Sequence, residues 1–183
     1  MPTYFDHNAT TPLHPDVLAA MQPHLTKPFG NPASVHRFGR AAHAAVQRAR
    51  DEVAQLIGCR SSEVVFTSGG TESDNLAVKG VAAALSGRSV LYGATEHPAV
   101  LEAAEALRGT DTPVEVIPYN EDGHPDWAWL EQRLARGDVG LVCMMAANNE
   151  TGVIQDIARA SELAHAHGAL LHVDAVQAAG KLP

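Results

Sequence analysis

Residues 64–77 read Val64-Val65-Phe66-Thr67-Ser68-Gly69-Gly70-Thr71-Glu72-Ser73-Asp74-Asn75-Leu76-Ala77. The three apolar residues at the start indicate the end of a buried strand, and the small residues Ser68 to Thr71 indicate a tight turn. From Thr71 onward the apolar spacing predicts a helix, with Glu72 and Asp74 suited to its first turn. Glycines let backbone N–H groups approach an anion, and a helix N-terminus carries roughly half a positive charge. The stretch therefore predicts a phosphate-binding turn.

This turn matches neither of the common nucleotide-binding motifs. A phosphate loop of the GxxxxGK[ST] type needs a lysine after the glycines, whereas Thr71 and Glu72 follow here, and the GxGxxG fingerprint is absent. Many strand-to-helix turns are rich in glycine for steric reasons only. The turn alone therefore leaves both interpretations open.

Composition and charge narrow the class of protein. The chain has 183 residues, 45% of them hydrophobic, which suits a single core. The net charge of −8 argues against nucleic-acid binding through a basic face. We expect no membrane span, since no apolar run reaches about 18 residues. Residues 1–7 lack the basic and apolar parts of a signal peptide, and the two cysteines are far apart, so we expect a cytoplasmic protein.

The rest of the chain alternates between strand and helix patterns. We interpret residues 1–14 as an extended segment and 15–183 as a domain with a mostly parallel sheet, because repeated alternation favours right-handed crossovers. The apolar runs at 139–144 and 169–173 are typical of strands buried on both faces. The predicted strands lie near 63–67, 89–93, 114–118, 139–144 and 169–173; the predicted helices lie near 15–25, 37–57, 71–86, 98–108, 126–136 and 156–167, with a loop at 27–34.

Polar side chains follow most of these strands, at the end where parallel sheets bind ligands. His97 comes after the second strand, and Asn148 and Asn149 come after the fourth. Asp174 directly follows the fifth, with Gln177 one predicted helical turn further on. Each also has a simpler explanation: a loop histidine, an asparagine turn and a cap of the next helix. We expect no metal site, since the histidines, including His165 and His167, show no metal-ligand spacing.

Six stretches together resemble the cysteine desulfurases of the NifS/IscS type, within the class-V aminotransferase family. They occur in family order and span the chain: residues 5–12, 30–34, 65–75, 95–97, 148–152 and 172–177. The resemblance implies an α/β fold, namely the three-layer large domain of fold type I, in an incomplete form. It also implies pyridoxal 5'-phosphate as the cofactor.

The resemblance assigns roles to the residues that match the family motifs. Gly70 and Thr71 would hold the cofactor phosphate. His97 would stack on the pyridine ring and act as an acid and base in catalysis. Asn149 would bond the phenolic oxygen of the cofactor and lie near the substrate carboxylate.

The last two roles fall on the final motif. Asp174 would pair with the pyridine nitrogen and keep it protonated, which makes the ring an electron sink. Gln177 would also reach the phenolic oxygen.

Three family features are missing from the 183 residues. The Schiff-base lysine of the family lies in a Ser-x-His-Lys segment, and Lys27, Lys79 and Lys181 stand in other contexts. Neither Cys59 nor Cys143 matches the nucleophilic cysteine on its mobile loop. The arginine that binds the substrate carboxylate would also lie beyond the last residue. We therefore expect an amino-terminal portion that is inactive alone.

The resemblance implies that the parent protein converts L-cysteine to L-alanine and forms an enzyme persulfide. The sulfur would serve iron–sulfur cluster assembly or tRNA thiolation, through a sulfur-acceptor or scaffold protein, and the parent would be a homodimer. Two alternatives remain at this point. One is another class-V enzyme, such as a selenocysteine lyase or an aminotransferase, and the other is a non-catalytic fragment.

Overall fold

The computed structural model describes residues 2–26 and 29–182, so Lys27 and Pro28 of the predicted loop lie outside the described residues. The chain divides into two compact units, Met1–Phe66 and Thr67–Pro183. No helix in the described part of the chain is long and apolar enough to cross a membrane. The division into an extended segment at 1–14 and a cofactor-binding domain at 15–183 stays a prediction.

The first unit contains two helices, α1 (Pro15–Thr26) and α2 (Arg37–Ile57), and a 3₁₀ turn (Ser61–Glu63). His36 caps α2 by accepting a hydrogen bond from Gly39 N at 3.3 Å, and Gly58 ends it in the left-handed conformation with φ of 71°. Gly39 also allows a close approach, because a side chain there would overlap the carbonyl of Ser34. The predicted bounds of α2 are confirmed.

The strand predicted at 63–67 is wrong. After the 3₁₀ turn the chain is extended but pairs with no strand among the described residues, and Val65 and Phe66 are 66% and 46% exposed. The Val64 carbonyl accepts a hydrogen bond from the Arg50 guanidinium, which also lies 5.0 Å from the Phe66 ring centroid. In this segment an arginine side chain, and not a neighbouring strand among the described residues, bonds the Val64 carbonyl. The apolar run alone did not indicate strand pairing.

The second unit is an α/β domain built on a four-stranded sheet. The strand order is β2-β1-β3-β4 and every pair is parallel, as the alternating pattern predicts. Its elements are α3 (Gly70–Ala84), β1 (Ser89–Gly93), α4 (Pro98–Glu105), β2 (Val114–Ile117), α5 (Trp127–Leu134), β3 (Val139–Met145), α6 (Ile157–Ala166) and β4 (Leu170–Asp174).

Helices cover both faces of this sheet, which gives the three predicted layers. On one face, α3 and α4 pack on alternate strand residues. Val78 of α3 and Val100 of α4 lie in one apolar cluster with Cys143 of β3 and Tyr92 of β1. On the other face, α5 and α6 pack on the intervening residues, including Val142. Each apolar core is therefore made by one helix pair and one side of the central strands.

The two apolar runs behave differently. All seven residues of β3 are buried, which confirms the prediction for that run. The prediction is wrong for β4, whose first residue, Leu170, is 48% exposed. β4 is an edge strand of the sheet formed by the described residues, whereas β3 lies between two neighbours. Position in the sheet, which hydropathy does not report, decides the burial.

Candidate active site

The turn before α3 leaves the start of that helix open to an anion. Gly69 precedes the helix and provides no side-chain cap. Ser68 donates from both its backbone N, at 2.7 Å, and its hydroxyl, at 2.5 Å, to one carboxylate oxygen of Glu72. Thr71 is exposed in the first turn of the helix. The Glu72 carboxylate thus holds the turn, while the first N–H groups of α3, at the positive end of the helix dipole, receive no cap from the side chain of the preceding residue.

The segment after β4 lies against this turn. A side chain at Gly70 would come within 3.2 Å of Val176 Cγ2, so the start of α3 and residues 174–177 are in contact. Asp174 is 6% exposed, and its Oδ1 accepts a hydrogen bond from Val176 N at 3.0 Å. The structure thereby brings the predicted phosphate turn and the predicted ring-nitrogen partner to one place.

No helix follows Asp174 in the described residues. Residues 176–181 form successive turns, one of which is closed by the helix-type bond from Ala179 N to Ala175 O at 2.9 Å. Lys181 Nζ donates to Gln177 Oε1 at 2.5 Å. The bond from Val176 N to Asp174 Oδ1 closes a turn with the Asp174 side chain, as a residue does at the start of a helical turn.

His97 has one ring nitrogen engaged by the protein. Its Nδ1 accepts a hydrogen bond from Ala99 N at 3.1 Å and so caps α4, whose first residue is Pro98. An accepting Nδ1 carries no proton, so the neutral ring holds its proton on Nε2. The ring is exposed, and the cap fixes both its tautomer and its place at the end of β1.

The two asparagines after β3 have different surroundings. Asn148 Oδ1 accepts from the backbone N of Glu150 and of Thr151, at 2.9 and 2.8 Å, and its Nδ2 donates to Thr95 O at 3.0 Å. Asn148 therefore builds the turn and ties it to the residues before His97. Asn149 is half-buried in the same turn, one position further along.

Three buried carboxyl groups gather at this end of the sheet: Asp74, Glu96 and Asp174. Burial is the main cause that raises the pKa of Asp74, and the Asp174 charge raises it further, against the opposite effect of His172 and His97. Burial likewise raises the pKa of Glu96 to about 8, with the Asp174 and Asp74 charges adding to it. Burial and mutual repulsion therefore favour the protonated, neutral form of Asp74 and Glu96 where the strands end.

Sequence reasoning missed two of these carboxyl groups and one partner. Asp74 lies inside α3 and His172 Nε2 lies 3.1 Å from its Oδ1, so Asp74 does not serve the helix end. The alternation of His172 and Asp174 on β4 could have signalled that both side chains share one face. Nothing in the sequence around Glu96 signals its burial.

Thiols and metal-ligating side chains add nothing to this group of residues in the described part of the chain. Cys143 is fully buried on β3, and burial raises the pKa of its thiol. Cys59 follows α2 in the first unit. No group of three or more metal-ligating side chains occurs in the ranges 2–26 and 29–182. The site as described therefore supplies an anion-binding turn, an imidazole, amides and carboxylates.

Comparison with known proteins places these features in one family. The profile of the class-V aminotransferases matches residues 3–183. A protein named cysteine desulfurase IscS from Dictyoglomus turgidum is 43% identical over 182 residues, which are 98% of this chain and 46% of that protein. A protein of the same name from Anaeromyxobacter sp. (strain Fw109-5) is 47% identical over 186 residues, with 100% and 46% covered.

A solved structure described as a NifS-like protein aligns with a TM-score of 0.95 at 38% identity, covering 100% of this chain and 51% of the other. The chain spans about half the length of the curated relatives it matches.

Proposed function

The chain belongs to the class-V aminotransferase family, and from this we propose that it is the cofactor-binding, amino-terminal half of a cysteine desulfurase. Enzymes of this family use pyridoxal 5'-phosphate. The observation that carries the proposal is Asp174, a buried carboxyl group at a strand end, in contact through its own turn with an open helix N-terminus.

The residues present fit this cofactor. The open start of α3, with Gly70 and Thr71, suits a phosphate dianion. The buried carboxyl group of Asp174 suits a cationic ring nitrogen, because an opposite charge beside it favours its ionised form. Ligand and protein charges are therefore complementary at both ends of the cofactor.

The cofactor, when bound, supplies an electron-accepting ring next to the substrate amine. Asp174 holds a proton on the ring nitrogen through its negative charge. His97 would stack on the ring and would move a proton at Nε2, because its Nδ1 accepts a hydrogen bond from Ala99 N. Asn149 and Gln177 orient the cofactor through its phenolic oxygen, and Asn149 also lies near the substrate carboxylate.

The proposed reaction of the whole protein converts L-cysteine to L-alanine and leaves the sulfur on a cysteine thiol. That cysteine, the Schiff-base lysine and the substrate-binding arginine are not found in suitable contexts in the 183 residues. We further propose a homodimer in the cytoplasm that passes sulfur to an acceptor or scaffold protein for iron–sulfur clusters or tRNA thiolation.

The test uses a hybrid protein in which these 183 residues are followed by the unmatched carboxyl-terminal part of the D. turgidum relative. The purified hybrid should show cofactor absorbance and, with a thiol reductant present to cleave the enzyme persulfide, release equimolar alanine and sulfide from L-cysteine. The complete D. turgidum protein is the positive control. A hybrid that binds the cofactor but acts on another amino acid, such as selenocysteine alone, would contradict the proposed reaction.

A further inference from the structure

Glu96 connects two turns that carry proposed site residues. It is 7% exposed, directly precedes His97, and accepts a hydrogen bond at Oε1 from Met145 N at 2.7 Å. Next to this bond, Asn148 Nδ2 donates to Thr95 O at 3.0 Å. Two hydrogen bonds therefore join the turn after β1 to the end of β3 and the turn that follows it. Glu96 accepts one of them, and the carbonyl of its neighbour Thr95 accepts the other.

The second oxygen of Glu96 lies in an unusual environment. Among the described residues, neither Glu96 Oε2 nor the hydroxyl of Tyr119 has a hydrogen-bond partner, although both are buried. Both side chains border Gly93, where an added Cβ would overlap Tyr119 Oη and come within 2.8 Å of Glu96 Oε1. Gly93 thus leaves room for the two polar groups beneath the turn.

The ionisable groups that interact with Glu96 carry a negative charge or none. Asp74 approaches from α3 and Asp174 from β4, while the buried thiol of Cys143 approaches from β3. Tyr119 approaches from the segment after β2, and burial, then the charge of Glu96, raises the pKa of its hydroxyl. A buried carboxylate with one unpaired oxygen and like charges nearby is costly, whereas a neutral acid is tolerated.

We propose that Glu96 is a positioning residue that acts as a neutral carboxylic acid, joining the turn that carries His97 to the end of β3 that precedes Asn149. The inference rests on the proposed function only in naming His97 and Asn149 as the positioned groups. Glutamine is the matched substitute, because it keeps the acceptor for Met145 N and is neutral at every pH.

Proton linkage gives the sign of the test. Burial raises the pKa of Glu96 from 4.5 to about 8, so between these values the folded chain holds a proton that the unfolded chain has lost. The contribution of this proton to the free energy of unfolding is therefore fully present below pH 4.5, and it is lost as the pH rises toward about 8. Glu96→Gln removes this loss.

The experiment measures thermal unfolding of the 183-residue chain and of Glu96→Gln from about pH 5 to about pH 8. The midpoint of Glu96→Gln relative to the wild type should rise by about 5 °C or more across this range. The exposed Glu102→Gln on α4 is the control and should show no such trend. A difference that stays constant, or that falls with pH, would show an ionised Glu96 and overturn the proposal.

Positioning is tested separately from stability. Glu96→Ala should shift the NMR signals of the His97 imidazole, and Glu96→Gln should restore them. Infrared absorption of a protonated carboxyl group at neutral pH, lost in Glu96→Gln, gives a readout that needs no unfolding. Unchanged His97 signals in Glu96→Ala, or no such absorption, would refute the assignment. None of these measurements uses the cofactor or L-cysteine, so they can succeed even where the proposed activity fails.

Discussion

His172 Nε2 lies 3.1 Å from Asp74 Oδ1, and this contact joins strand β4 to helix α3. Asp74 belongs to the helix that begins at the glycine turn, and His172 stands two residues before Asp174. Both side chains are largely buried. The pair therefore fixes the distance between the two elements that we assign to the cofactor phosphate and to its ring nitrogen.

The Asp74–His172 contact should be measurable as a coupling between the two side chains. We expect Asp74→Ala and His172→Ala each to lower the free energy of unfolding, with a coupling of about 1 kcal/mol in a double-mutant cycle. The exposed Ser161–His165 pair on α6, 3.2 Å apart, is the control, and its coupling should be near zero. Equal couplings for the two pairs would mean that burial adds nothing.

Arg133 forms a separate ionic cluster near the amino ends of the strands. Its guanidinium, 4% exposed, bonds Glu115 at 2.6 and 2.8 Å, Asp138 at 2.6 Å and the Ser89 hydroxyl at 2.9 Å. These carboxylates raise its pKa further above the usual value. The cluster is far along the strands from Asp174, so we assign it to stability.

Arg133→Met should lower the free energy of unfolding by about 2 kcal/mol, because it removes charge-assisted hydrogen bonds to Glu115 and Asp138 and leaves the buried Ser89 hydroxyl without this donor. Arg108→Met, which breaks a more exposed pair with Glu105, should cost less than about 1 kcal/mol. Chemical denaturation of both variants measures the contrast. Similar losses for the two would show that the buried cluster is no stronger than a surface pair.

The 183-residue chain by itself should release no sulfide from L-cysteine when pyridoxal 5'-phosphate is added. The physical reason is that the sequence supplies no Ser-x-His-Lys segment and that the thiol of Cys143 is buried and kept protonated. Sulfide is measured against a protein-free sample with the same cofactor, which also reacts slowly with thiols. Release above that level would contradict the account.

The sequence predicted the parts of the fold that local patterns determine. The bounds of α2 follow from its apolar spacing and from Gly58, and β1 and β3 follow from short apolar runs between turns. The sequence patterns failed where residues that are distant along the chain decide the local structure. The apolar run at 64–66 pairs with no strand among the described residues, where Arg50 bonds the Val64 carbonyl, and β4 is more exposed because it lies at an edge.

The candidate site shows the same limit. Strand-end reasoning placed Asp174 beside the glycine turn, since parallel strands bring their carboxyl ends together. It could not find Glu96, whose role depends on Met145 from a strand that is distant in sequence. It also assigned Asp74 to the helix start, because a carboxylate there suits the helix dipole and its partner His172 is 98 residues away.

Asp174→Asn in the hybrid protein tests the central claim most directly. Asp126→Asn is the matched control, because Asp126 caps α5 by accepting from Trp129 N at 2.9 Å and has no proposed role with the cofactor. We expect kcat to fall by about 100-fold or more in Asp174→Asn, or roughly 3 kcal/mol in the barrier, with a changed pH dependence of the cofactor absorption spectrum. Asp126→Asn should keep the kcat and the pH dependence of the absorption spectrum of the unsubstituted hybrid. Near-normal kcat and an unchanged spectrum in Asp174→Asn would show that Asp174 only closes its own turn, and would contradict the placement of the cofactor.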